Sequence, residues 1–115
     1  MKKTALIIIL LLFFVSIIPA QELPKITIVN NTGYPVYRVF ISPSTDDNWG
    51  DPFLDNEIIA SGESVEFILK FPLSVTNVYD IALFNTDDDT YSKYGVQVKA
   101  NERIVFTFDD FVKIY

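Results

Sequence analysis

The residues of this chain best equipped for chemistry are four aspartates, Asp46, Asp47, Asp51 and Asp55, set around Trp49-Gly50, with Ser44, Thr45 and Asn48 adding oxygen. Hard cations such as Ca2+ take about six to eight oxygen ligands at short range, and one acidic loop can supply several of them. The order is not that of an EF-hand loop, because the D-x-D-x-D-G spacing and its terminal glutamate are both missing. The plainer alternative is a solvated loop whose acids keep the protein soluble and close Asx-turns. Asp87-Asp88-Asp89 is a second acidic run, at a place where a strand-to-strand turn calls for Asp or Asn.

Trp49 has two readings: a ring that stacks on a ligand such as a sugar, or a plug that pins the loop onto the body of the domain. Aromatic rings bury large areas, and Gly50 beside it lets the backbone turn tightly, which favours the plug. Ser44 and Asn48 stand with Trp49 as candidate interaction residues, whereas Phe53 and Leu54 read as core anchors. Carboxylate pairs drawn from Asp46, Asp51, Asp80 and Asp89 are the remaining route to catalysis, on the pattern of glycoside hydrolysis. A small β-domain without an evident cleft is a poor host for that chemistry.

Histidine and cysteine are both absent. Imidazole and thiolate metal sites, histidine-based triads and the ordinary near-neutral general base go with them. No base is therefore at hand for the serines of Ser42-Pro43-Ser44 or Ser61-Gly62-Glu63-Ser64, which read as turns. No resident cofactor is expected, apart from Ca2+ in the alternative reading of the acidic loop.

Met1-Lys2-Lys3-Thr4 precedes an apolar run from Ala5 to Ile18, broken only by Ser16, and Pro19-Ala20-Gln21 follows. This is the layout of a secretory signal peptide, residues 1–20, with cleavage after Ala20. The run is shorter than the roughly 20 apolar residues that a spanning helix needs. Ile18 is bulkier than the position two residues before Ala20 normally takes, so an uncleaved anchor stands as the alternative. The absence of cysteine rules out a lipid-modified N-terminus.

Of the 115 residues, removal of the first 20 leaves 95, enough for one domain with a single core, residues 21–115. Lys2 and Lys3 leave with the leader, so the acid excess grows from 6 to 8. An acidic surface with no basic stripe argues against nucleic acid and against anionic membrane surfaces. Without disulfides, stability has to come from packing, although export leads to places where disulfides form.

The elements that must carry the acidic loop are strands. Residues 25–29, 36–42, 65–71, 78–85, 90–99 and 104–108 each alternate or run apolar between turn signals, and 57–60 adds a brief edge strand. Asn30-Asn31-Thr32-Gly33 reads as a hairpin turn between the first two. In the second, Tyr37, Val39 and Ile41 share one face and Val36, Arg38 and Phe40 the other, so the strand is expected at the centre of a sheet. Val65, Phe67, Leu69 and Phe71 point inward in the next long strand, Tyr79, Ile81 and Leu83 in the one after. Tyr94, Val96 and Val98 group together, with Gly95 marking a bulge or a close backbone approach. Ile104, Phe106 and Phe108 close the pattern, and residues 111–115 extend the last strand or lie against a sheet edge. The fold class is all-β: a single small β-sandwich, Ig-like or similar, of six to seven antiparallel strands behind the signal helix.

Ile41-Ser42-Pro43-Ser44, Trp49-Gly50, Leu54, Ser61-Gly62-Glu63-Ser64, Tyr79-Asp80-Ile81 and Thr90-Tyr91 together resemble the pattern of a group of small exported bacterial β-rich proteins of uncharacterised function. The resemblance implies an exported β-rich module and brings no activity or ligand residues. Pro52-Phe53 departs from it by adding bulk before the leucine. The functional expectation is an exported, periplasmic or extracellular, non-enzymatic module. It binds a protein or cell-envelope component through the 43–56 loop and touches membrane only through its signal sequence. A Ca2+-binding module is the alternative, with a carboxylate hydrolase behind it.

Overall fold

The computed structural model describes residues 22–113, so the expected signal peptide, residues 1–20, and its expected cleavage point lie outside the described residues. Seven strands follow one another: β1 Lys25–Asn31, β2 Val36–Pro43, β3 Leu54–Ile59, β4 Ser64–Ile68, β5 Val78–Asn85, β6 Thr90–Gln97 and β7 Glu102–Thr107. They form a three-stranded sheet in the order β4-β1-β7 and a four-stranded sheet in the order β3-β2-β5-β6. One apolar cluster joins Ile26, Ile28, Phe67, Ile104 and Phe106 of the first sheet to Val39, Ile41, Leu54, Ile81, Leu83 and Tyr91 of the second. The domain is therefore an all-β sandwich. Each fully buried aliphatic or aromatic side chain contributes about 1.5–3 kcal/mol to holding the layers together.

Two expectations about strand pairing are corrected. The expected hairpin between the first two strands does not form, since β1 and β2 lie in different sheets. Nor are all pairs antiparallel: β1 runs parallel to β7, with Ile28 opposite Ile104 and Asn30 opposite Phe106. The crossing is organised by Asn30, which is fully buried. Its side-chain amide donates to the carbonyls of Tyr34 and Ile59, both at 2.8 Å, and its Oδ1 accepts from the Thr32 N–H and hydroxyl at 3.1 and 2.7 Å. Its backbone bonds the 60–63 turn, from its N–H to the Glu63 carbonyl and from the Gly62 N–H to its carbonyl. Gly33, at φ 91°, supplies the left-handed step that turns the chain into the second sheet.

β2 is central, as its two bulky faces require, but a bulge between Val36 and Arg38 alters which residues share a face. The extra residue at Tyr37 brings Val36 inward with Val39 and Ile41 and leaves Arg38 and Phe40 outside. A second bulge, on β6, sets Tyr79 opposite Val96 but Ile81 opposite Lys93. It falls at Gly95, whose φ is 64°, and turns Tyr94 out to 67% exposure while Val98 stays buried. The strand after the 60–63 turn is shorter than its alternation suggests, so Phe71 is exposed. Phe108 likewise leaves β7 for a short 3-10 helix, Phe108–Asp110, held by the Thr107 N–H on the Asp110 carboxylate at 2.9 Å. Phe111 then bridges to Tyr91 and the Val112 N–H donates to Thr90, so the chain lies along the β6 edge.

Two consequences can be measured. Replacing Asn30 by Ala strands the Ile59 carbonyl and the Thr32 N–H, and should cost about 2–4 kcal/mol in denaturant unfolding with little change in slope. Tyr79 is 2% exposed and its hydroxyl has no hydrogen-bond partner among the described residues, so Tyr79→Phe should stabilise by about 1 kcal/mol. Burial pushes the Tyr79 and Tyr91 phenols above the ordinary 10.0, and a hydrogen bond to Asp88 does the same for Tyr37. The fold prefers the neutral phenols, so their contribution to stability is complete below pH 10 and is lost as pH rises through the folded-state values. The part of the tyrosinate absorbance that belongs to Tyr79 and Tyr91 should therefore appear together with alkaline unfolding, and Tyr79→Phe should move that unfolding to higher pH.

Candidate functional site

The β2–β3 connection, residues 44–53, folds back over the outer face of the four-stranded sheet. Pro43 cannot donate to the ladder, yet the pairing continues one step past it through the Ser44 N–H on the Val78 carbonyl at 3.0 Å. A turn follows at once, closed by the Asp46 N–H on the Pro43 carbonyl at 2.9 Å. The Ser42 hydroxyl donates to the Asn48 carbonyl at 3.1 Å and holds the tip of the loop down. Farther on, the Phe53 N–H reaches Val39 at 2.7 Å, and Phe53 packs edge-on against Phe67 of the opposite sheet. Leu54 is buried, so both residues anchor the loop in the core, as their bulk demanded.

Trp49 lies between these fixed ends, half-buried, with its ring 6.3 Å from Phe40 and 6.1 Å from Tyr94. It pins the loop to the outside of the sheet, not to the core. Phe40 meets Phe84 edge-on at 5.6 Å, and the Arg38 guanidinium stands 4.8 Å from the Tyr37 ring and 6.0 Å from Phe84. An aromatic row thus crosses the outer face from Arg38 to Tyr94. Ala82, opposite Phe40 and Ser92 in this sheet, is fully buried. Burial at an outward position is what a cover of rings produces.

At the Tyr94 end a recess of about 160 Å3 is lined by Ser42, Asp46, Asp47, Asn48, Trp49, Asp80 and Tyr94. Asp80 is its rigid member. Its Oδ1 accepts from the Ser44 hydroxyl at 2.7 Å and from the Gly95 N–H of the β6 bulge at 2.9 Å, which ties loop, β5 and β6 together. Both bonds fall on Oδ1, and among the described residues no donor is paired with Oδ2.

Of the four candidate metal ligands, Asp46 and Asp47 line this recess, while Asp51 is exposed elsewhere on the loop. Asp55 is not in the loop at all: β3 begins at Leu54, earlier than the expected edge strand, and Asp55 pairs with Arg38 across the ladder at 3.3 Å. Among the described residues no group of three carboxylates is placed to hold a metal ion. Of the interaction candidates, Trp49 and Asn48 line the recess, and Ser44 acts by holding Asp80. The acids considered for catalysis are divided: Asp46 and Asp80 share the recess, whereas Asp89 belongs to the β5–β6 turn. There the Asn85 Oδ1 accepts the Asp87 and Asp89 N–H groups at 2.9 Å, the turn chemistry expected of that acidic run.

Tyr94 and Ser42 were not singled out from the sequence. Tyr94 had a usable signal in Gly95, since a bulge moves its neighbour to the opposite face. A larger depression of about 450 Å3 lies at the other end of β1, lined by Leu23, Pro24, Pro72 and Leu73 among others. It contains none of the sequence candidates.

No family model matches the chain, and no curated protein matches it. Among solved structures it is similar to the NMR structure of a protein from Eubacterium rectale, with a TM-score of 0.54 and 16% identity. The match covers 77% of this chain and 84% of that one. At that identity the likeness is one of fold alone.

Proposed function

We propose that the chain is an exported, non-enzymatic binding module that takes a protein or cell-envelope partner on the outer face of its four-stranded sheet. The observation that carries this reading is the Trp49–Tyr94 pair, two accessible rings 6.1 Å apart at the mouth of a recess backed by Asp80. Aromatic anchors in a partly desolvated recess with a polar rim are the usual makings of a binding hot spot. Tyr94, 67% exposed beside the half-buried Trp49, leaves ring surface accessible to a partner.

Other features support the same reading. The lack of histidine and cysteine favours recognition over acid-base or nucleophilic chemistry. The acid excess argues against nucleic acid. Lys2-Lys3 followed by the apolar run from Ala5 supports export to the periplasm or beyond.

Expression of the full chain in the source cells should yield a product outside the cytoplasm whose mass begins at Gln21. Retention of the purified protein on an isolated envelope fraction should fall about tenfold for Tyr94→Ala, a loss of about 1.4 kcal/mol, with an unchanged thermal midpoint. Equal retention of parent and variant would remove the Trp49–Tyr94 recess from the account.

A further inference from the structure

The two ends of the aromatic row are alike in chemistry but not in occupancy. At one end a cation of the chain itself is seated: the Arg38 guanidinium stands over the Tyr37 and Phe84 rings and pairs with Asp55 at 3.3 Å. At the other end Trp49 and Tyr94 face Asp46, Asp47 and Asp80, and none of the residues lining that recess is Lys or Arg. From this, and resting on the binding reading above, we infer that the recess accepts the guanidinium of an arginine from a basic polypeptide segment of a partner protein.

Size and shape both favour a side chain as occupant. At about 160 Å3 the recess is smaller than the roughly 300–1,000 Å3 typical of small-molecule sites. The Trp49 and Tyr94 planes are inclined at 41°, which makes a wedge in place of the flat platform that a sugar ring stacks on. A planar guanidinium lies against an open ring face of such a pair through its π-face and presents a fork of N–H donors to carboxylates. Asp80 offers Oδ2 on a side chain already held by Ser44 and Gly95, so little ordering remains to be done on binding. Asp46 and Asp47 are exposed at the rim, where their role is to draw the cation in, and salt weakens that attraction.

The chain contains a single tryptophan, and it sits in this wall, so intrinsic fluorescence reads the site directly. The test titrates the protein with acetyl-Gly-Arg-Gly-amide, with its Lys and Gln counterparts, and with a neutral oligosaccharide. The Arg peptide should give a saturable change in Trp49 emission, the Gln peptide should bind at least tenfold more weakly, and the Lys peptide should fall between them. Tyr94→Ala and the Asp46→Asn, Asp47→Asn double variant should each weaken the Arg peptide several-fold while leaving the far-UV spectrum intact. A flat titration through the millimolar range, equal binding of Gln and Arg peptides, or saturation by the oligosaccharide alone overturns the inference. Envelope retention that depends on Tyr94 but is not competed by the Arg peptide would leave the binding surface standing and remove only the guanidinium.

Discussion

The sandwich depends on one buried side chain at the point where the chain passes from one sheet to the other. Asn30, itself fully buried, presents two donors and an acceptor, and these are met by Tyr34 and Thr32 of the β1–β2 connection and by Ile59 at the end of β3. A buried amide left unmatched costs more than a matched one contributes, so the arrangement is strongly selective for this crossing. Through the Ile59 and Glu63 carbonyls the same residue fixes where β3 ends and β4 begins. The parallel alignment of β1 with β7 starts from the strand whose end it secures.

Once the sheets are set, two bulges decide what the outer face of the larger one displays. The bulge in β2 moves Val36 into the core and keeps Arg38 and Phe40 outside, and the one in β6 turns Tyr94 outward to line the recess with Asp80. Bulges commonly re-aim side chains in this way. The long β2–β3 connection then covers the exposed rings with Trp49, so that face becomes a second, shallow apolar layer with a carboxylate-lined recess at one end. Asp80 serves both levels: it locks the loop to the bulge and faces the recess.

The edges of the sandwich are managed by unequal means. The β6 edge is partly covered by residues 111–112, and Lys93 bonds Asp110 at 3.0 Å beneath that cover, close to the Phe106 ring. β4 ends its sheet openly, with Glu66 and Lys25 paired on its surface and Ile68 exposed. A short strand bearing charge is a common guard against unwanted pairing.

How much of this was legible beforehand follows from the reach of each interaction. Most strand positions, the all-β class, the centrality of β2, the turn at Asp87-Asp88-Asp89 and the anchoring of Phe53 and Leu54 were readable from the sequence, though not the start of β3 or the end of β4, because alternation, β-branching and turn chemistry act over a few neighbouring residues. The separation of β1 from β2, the parallel pairing with β7 and the faces of Val36 and Tyr94 were not. A hairpin and a crossover share the same local turn residues, and a single extra residue reverses every later side chain without changing composition. The candidate site divides in the same way: the loop and its tryptophan announced themselves by residue type, whereas Tyr94 and the holding of Asp80 exist only because folding brings three strands and a loop to one place. Residue types and periodicity thus determined the elements, and long-range packing with the hydrogen bonds of buried groups decided how they meet.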